Sequence, residues 1–215
     1  METRQAIGIF GGTFDPIHYG HIKPVLEASS KLGLTQVLLI PNREPVHKPT
    51  ASASTDQRLD MLKLICENYP VFKLDTREVE RQQESFSLLT LQELRKQFPQ
   101  QRIYFFIGMD SLNTLPCWFG GEQLFDYCHF VVTRRPGYTL TPEVAATFSQ
   151  RIIENPETAP QNDAGKVLIF DTNQLDISSS QIRQAIRENS PMEHLLPDDV
   201  FSYISKQKLY QEPVS

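Results

Sequence analysis

The stretch from Ala6 to His21, AIGIFGGTFDPIHYGH, constrains the fold of this chain more than any other. Ala6 to Phe10 is short, apolar and rich in Ile and Phe, the pattern of a strand covered on both faces, as in a parallel sheet. Gly11 and Gly12 end it; without Cβ atoms the backbone can turn sharply and a polyanion can approach the main-chain N–H groups. Thr13 adds a hydroxyl donor, and Asp15 with Pro16 fixes the turn, since proline locks its own φ and restricts the residue before it. His18, Tyr19, Gly20 and His21 then open a helix running to about Leu32. His18 and His21 lie on one face of its first turn, beside the partial positive charge of the helix N-terminus. Bare amides, two imidazoles and a helix dipole in one place suit a triphosphate.

Each part has a plainer meaning on its own. Gly-Gly after a strand is an ordinary turn, and His-x-x-His can begin a zinc site, but no second compact Cys/His pair supplies further ligands, so no protein metal site is expected. The loop also lacks the Gly-Lys-Ser/Thr of a Walker A loop and the G-x-G-x-x-G of a dinucleotide fingerprint. As a whole, the string resembles the (H/T)xGH signature of the nucleotidyltransferase superfamily, in the extended form GGTFDPxHxGH, with every fixed position matched in order. The resemblance implies that His18 and His21 hold the α and β phosphates of a nucleoside triphosphate, with Gly11, Gly12, Thr13 and Phe14 around it.

The rest of the chain reads as alternating strands and helices, which predicts an α/β protein with a parallel sheet. Strands are expected at Gln36 to Ile40, Val71 to Leu74, Arg102 to Gly108, His129 to Thr133 and Val167 to Phe170. Ser54 or Thr55 caps a helix to about Glu67 with Leu59, Leu62 and Ile65 on its apolar face; Met61 reads as packing. The charged run from Thr76 to Arg81 reads as a solvated face. A helix follows Ser87 to about Phe98, the stretch from Thr139 to Gly165 reads as a helix and a surface loop, and Asp198 begins a last helix to about Ser205.

With 215 residues, 40% apolar and 22% charged, the chain can bury one substantial core; residues 1–215 are expected to form a single domain with a small helical part from about 178. A net charge of −5 argues against a general nucleic-acid or anionic-membrane binder. No apolar run approaches the ~20 residues of a membrane span, and METRQAIGIF lacks a hydrophobic signal core, so a cytoplasmic protein is expected. The three cysteines are odd in number and unclustered, which suits reduced thiols; Cys117 is expected to be a small buried hydrophobe. Nothing in the sequence sets an oligomeric state.

Several loop residues carry chemistry. His47 and Lys48 follow the second strand, where loops of such sheets bind ligands, and read equally as a solvated loop. Asp110, just after Gly108, can accept from ribose hydroxyls or cap the next helix. Trp118 is core, or a platform for a flat, positively charged pyridine ring. Arg134 and Arg135 suit phosphate or a surface turn. In ISSSQIR, residues 177–183, hydroxyls at a helix start and Arg183 one turn on can reach a single anion.

ISSSQIR resembles the superfamily's ISSTxIR element, with Ser180 in place of Thr, which implies that Ser179, Ser180 and Arg183 serve the β and γ phosphates. Val46-His47-Lys48-Pro49 resembles a P-H-[KR]-P element, Ser87 stands where Ser-Tyr-Thr has its Thr, and Trp118-Phe119 matches W-[FY]. Over essentially the whole chain the resemblance is to bacterial nicotinate-mononucleotide adenylyltransferases. It implies a Rossmann-like sheet in order 3-2-1-4-5-6 with helices on both faces. The implied reaction joins ATP and nicotinate mononucleotide into deamido-NAD, with Mg²⁺ bound through the ATP phosphates. His18, His21 and Arg183 would act on the reacting phosphates, and Lys48, Gly108 and Asp110 would join the ATP site. His47, Ser87, Trp118, Phe119 and Arg134 would serve the pyridine nucleotide. Rival readings are a pantetheine-phosphate adenylyltransferase, a cytidylyltransferase and a non-catalytic ATP-sensing module.

Overall fold

The computed structural model describes residues 5–43, 52–82, 84–134, 137–153, 156, 160, 162–172, 175–192 and 194–211. His47 and Lys48 lie outside the described residues. Seven parallel strands form one sheet in the order β3-β2-β1-β4-β5-β7-β6. They are β1 (Ala6–Gly12), β2 (Val37–Pro41), β3 (Phe72–Leu74), β4 (Arg102–Gly108), β5 (His129–Thr133), β6 (Ile152–Ile153) and β7 (Val167–Phe170). The six strands read from the sequence keep the expected order. The addition is β6, a two-residue edge strand inside the stretch expected to be helix and loop, too short to leave a periodic signal.

Near-continuous apolar runs make the central strands because helices cover both faces. Alternate side chains go to opposite cores. Val37, Leu39, Tyr104, Phe106, Val131, Leu168 and Phe170 face one layer, and Ile7, Ile9, Leu38, Ile40, Ile103, Phe105, Ile107, Phe130 and Val132 the other. The first layer contains α1 (Tyr19–Lys31), α2 (Thr55–Asn68), α7 (Ser179–Arg187) and α8 (Asp198–Lys206). The second contains α4 (Ser87–Gln97), α5 (Met109–Thr114) and α6 (Pro142–Thr147). The short α3 (Arg77–Glu80) follows β3. Gly8 is required at the centre of the sheet, since a Cβ there would sit 2.8 Å from both Phe106 and Val37 side chains.

The run from Thr76 to Arg81 is not a solvated face: it forms α3, and Glu78 on it is buried. Cys117 is exposed rather than buried, because it ends a single 3₁₀ turn (Leu115–Cys117) that points it outward while Leu115 enters the core. On α2, Leu62 and Ile65 are buried as expected, together with Met61, while Leu59 is only half-buried and Arg58 is buried instead. Ser54 caps α2 through a reciprocal pair of bonds with Gln57, as its Ser-x-x-Gln spacing allows.

Candidate active site

The chain reverses between β1 and α1 through a tight aromatic turn. Phe14 has φ of 52°, the left-handed region that costs a non-glycine residue about 1–3 kcal/mol. Its ring is buried, edge-on to Phe10 at 5.4 Å and to His21 at 5.5 Å. His18 is the N-cap of α1, in extended backbone, and its ring stacks on that of His21 at 3.7 Å between centroids. Gly20 permits this stack. A Cβ on it would lie 2.9 Å from His18 Nδ1 and 3.0 Å from the Ile177 carbonyl, so α1, the imidazole and the approach to α7 meet at a position with no room for a methyl group.

Helix α7 is fastened to the same turn. Ser178 caps it through a reciprocal pair of bonds with Gln181. The Ser179 hydroxyl donates to the Pro16 carbonyl at 3.0 Å. Arg183 donates from Nη1 to the Asp15 carbonyl at 2.6 Å and from Nη2 to Ser180 Oγ at 3.3 Å. The two anion-suited helix starts, far apart in sequence, therefore form one wall.

That wall is braced from behind. The buried Asp15 carboxylate accepts from the backbone N–H groups of Ser52 at 2.7 Å and Ala53 at 3.0 Å, and from the Tyr210 hydroxyl at 2.8 Å. Burial, and then the Asp15 charge, push the Tyr210 phenol far above its ordinary range, so it stays a donor. Arg58, 1% exposed, donates to the carbonyls of Thr13, Asn42 and Arg43 and to the Thr55 hydroxyl. It ties the ends of β1 and β2 to the start of α2.

A cleft of about 390 Å³ opens above the carboxyl ends of β1 and β4. Gly11, Gly12, Thr13, Phe14, His18, His21, Ser179 and Ser180 line it, and so do Gly108, Asp110, Ser87 and Trp118. Arg183 joins this group through Asp15 and Ser180. Helices α1, α4, α5 and α7 open onto the cleft; α1, α4 and α7 have no acidic residue in the first turn, and α5 has Asp110. Positive helix ends without carboxylates suit anions.

Trp118 is half-buried, edge-on to Phe105 at 6.4 Å, with its indole N–H donating to Thr114 Oγ1 at 3.2 Å. Its backbone N–H is taken by the Leu115 carbonyl. By contrast, the N-cap of α4, Phe86, makes no side-chain cap bond, so the first amides of α4 beside Ser85 and Ser87 have no cap of their own. Two expected residues are not on the cleft wall. Phe119 is 59% exposed and stacks on Phe86 at 4.6 Å, because the turn after Trp118 carries it outward. Arg134 leaves β5 at the surface and pairs with Asp171 at 2.8 Å.

Tyr210 was not legible in the sequence, because its partner Asp15 lies near the other end of the chain. Arg58 did leave a trace, as a charge at a position of an apolar stripe. Glu78, read as surface, lines the cleft. Among the described residues no set of three or more His, Cys, Asp or Glu side chains is placed to hold a metal, and no helix is long and apolar enough to cross a membrane.

An open parallel sheet with anion-suited helix starts at the switch between β1 and β4 defines a nucleotide-binding α/β protein. Residues 9–185 match the cytidylyltransferase-like family. A protein of Pseudoalteromonas atlantica named "Probable nicotinate-nucleotide adenylyltransferase" is 45% identical over 98% of this chain and 97% of its own. Its Escherichia coli namesake is 41% identical over 98% of this chain and 100% of its own. A Plasmodium falciparum nicotinic acid mononucleotide adenylyltransferase has the same fold in its complexes with APC (TM-score 0.72) and NaAD (0.73). Each is 19% identical to this chain and covers 98% of it and 100% of that structure. The chain belongs to the cytidylyltransferase-like family, among its nicotinate-nucleotide adenylyltransferases.

Proposed function

We propose that this protein transfers the adenylyl group of ATP to nicotinate mononucleotide, giving deamido-NAD and pyrophosphate, a step of NAD synthesis. The observation that carries the reading is the junction of α1 and α7 through Ser179–Pro16 and Arg183–Asp15. It stands in a chain similar from end to end to proteins of that name.

In this reading the α and β phosphates of ATP lie against His18 and His21 in the Gly11–Phe14 turn. Ser180, Arg183 and the start of α7 take the β and γ phosphates, joined by Lys48, and Asp110 beside Gly108 accepts from ribose hydroxyls. The 5′-phosphate of the acceptor attacks the α-phosphorus in line; the new P–O bond forms as the bond to the bridging oxygen breaks, and pyrophosphate leaves with that electron pair. A phosphate dianion is already nucleophilic at neutral pH, so the site needs no general base. Its contribution is alignment and stabilisation of charge on the transferring and leaving phosphoryl groups. The cleft's donors are hydroxyls, amides and imidazoles, a set suited to phosphate oxygens, while the carboxylates of Asp110 and Glu78 are acceptors that suit hydroxyls or a positive charge. Mg²⁺ enters as part of the ATP substrate, held by phosphate and water, and supplies further charge neutralisation.

The pyridine ring stacks on Trp118; the roles of Phe119, His47 and Arg134 toward this nucleotide rest on the sequence resemblance alone. Its carboxylate meets the open first turn of α4 beside Ser87. Backbone N–H groups there donate to a carboxylate but oppose the NH₂ of a carboxamide. The test is pyrophosphate release from Mg·ATP with nicotinate mononucleotide, nicotinamide mononucleotide or phosphopantetheine offered separately. Strong preference for the first supports the reading. Release with phosphopantetheine alone replaces the acceptor, and ATP binding without release for any acceptor makes the protein a sensing module.

A further inference from the structure

The acceptor named above differs from ATP in one electrostatic respect: its ring nitrogen carries a fixed positive charge. Most of the cleft is built for the opposite sign, with positive helix ends, hydroxyl donors and Arg183. Glu78 is the exception on the α3–α4 wall. It is 8% exposed, lines the cleft and shares that wall with Ser85, Ser87 and Thr90.

Its orientation is fixed by a directed chain. Arg81 donates from Nη1 and Nη2 to Thr90 Oγ1 at 3.2 and 3.3 Å, which leaves the threonine hydrogen for Glu78 Oε1 at 2.6 Å. The Arg81 charge is itself engaged by Glu93 at 2.8 Å. Among the described residues Glu78 makes no ion pair. Burial raises its carboxyl above the ordinary range, against the Thr90 hydrogen bond and the nearby Arg81 charge. A buried carboxyl aimed at a cleft without a paired cation destabilises the empty protein, and a cationic ligand offsets that cost.

We infer that Glu78 reads the positive charge of the acceptor's pyridinium ring, with Thr90 and Arg81 as its positioning residues; this rests on the proposed function. The indole of Trp118 and the carboxylate of Glu78 then serve one ring, by stacking and by charge. Glu78 is a specificity contact with no part in bond making.

The experiment compares nicotinate mononucleotide with its 1,4-dihydro form, whose ring nitrogen is uncharged, in wild type, Glu78→Gln and Glu78→Asp. Gln preserves the acceptor for Thr90 and removes only charge. Glu78→Gln should raise KM for the charged acceptor by about tenfold, with KM for ATP and for the dihydro acceptor changed by less than about twofold. Glu78→Asp should recover part of the preference. Equal shifts for both acceptors, or none, would overturn the assignment and leave the adenylyl-transfer reading intact. Wild type that turns over neither acceptor would remove that reading and this role together. Should Glu78→Gln fail to fold, Glu78→Asp alone decides: retained preference for the charged ring supports the role, and a uniform loss with both acceptors contradicts it.

Discussion

At the scale of single residues, the site depends on small clearances and directed donors. His21→Ala and Arg183→Ala should each lower turnover by roughly 10² or more, the scale for removing a donor that meets developing charge. Steady-state rates with saturating ATP check this, and near-normal turnover in both variants would remove the phosphate assignment. Gly20→Ala introduces no polar change, yet its methyl group meets the His18 ring and a main-chain carbonyl. It should cost about tenfold or more in kcat with the fold intact by circular dichroism, since sub-ångström displacement of the imidazole stack is enough. Glu78 supplies a pH test of stability. Its folded-state pKa is raised, so the native state bears no penalty below the unfolded pKa and a full one once pH exceeds the folded value. Melting temperatures from about pH 4 to about pH 8 should therefore show Glu78→Gln gaining on wild type as pH rises. His18, His21, Ser179 and Ser180 were legible because each sits in a short string whose chemistry is local. Glu78 was not, since a glutamate among charged neighbours gives no sign that the run will fold beneath α4.

At the scale of elements, what matters is how turns and helix starts are pinned. Replacing Arg58 by Met leaves the partly buried carbonyls of Thr13, Asn42 and Arg43 without their donor, at about 1 kcal/mol each. Chemical denaturation should show a loss of about 3 kcal/mol or more. Tyr210→Phe is milder: it removes one bond to Asp15, about 1 kcal/mol, and loosens the brace behind the phosphate wall. Its clearer readout is a raised KM for ATP beside an unchanged KM for the acceptor. The strands were legible from their apolar runs, and α1, α2, α7 and α8 from caps and spacing. The burial of Arg58 in place of Leu59 was not, because Arg58 is held by hydrogen bonds to loops distant in sequence. Cys117 was misplaced for a related reason: a single 3₁₀ turn has no periodicity to show which way a residue faces.

At the scale of the whole molecule, a net negative chain holds a cleft onto which three helix starts without acidic residues open. The proposed anion-binding character is thus local, from strand order and from leaving carboxylates out of three first turns. That order places β1 and β4 side by side, and their carboxyl ends carry the turn, Gly108 and Asp110 to one place. The distant halves of the proposed phosphate wall meet because α7 is bonded to the turn after β1, which the repeated hydroxyls of ISSSQIR suggested only when combined with the first motif. The most direct measurement follows the label from ATP carrying ³²P at the α or the γ position, with nicotinate mononucleotide and Mg²⁺. The account predicts α label in the dinucleotide and γ label in pyrophosphate. Label released from the γ position as inorganic phosphate, or transferred to the acceptor from it, would contradict adenylyl transfer at this site.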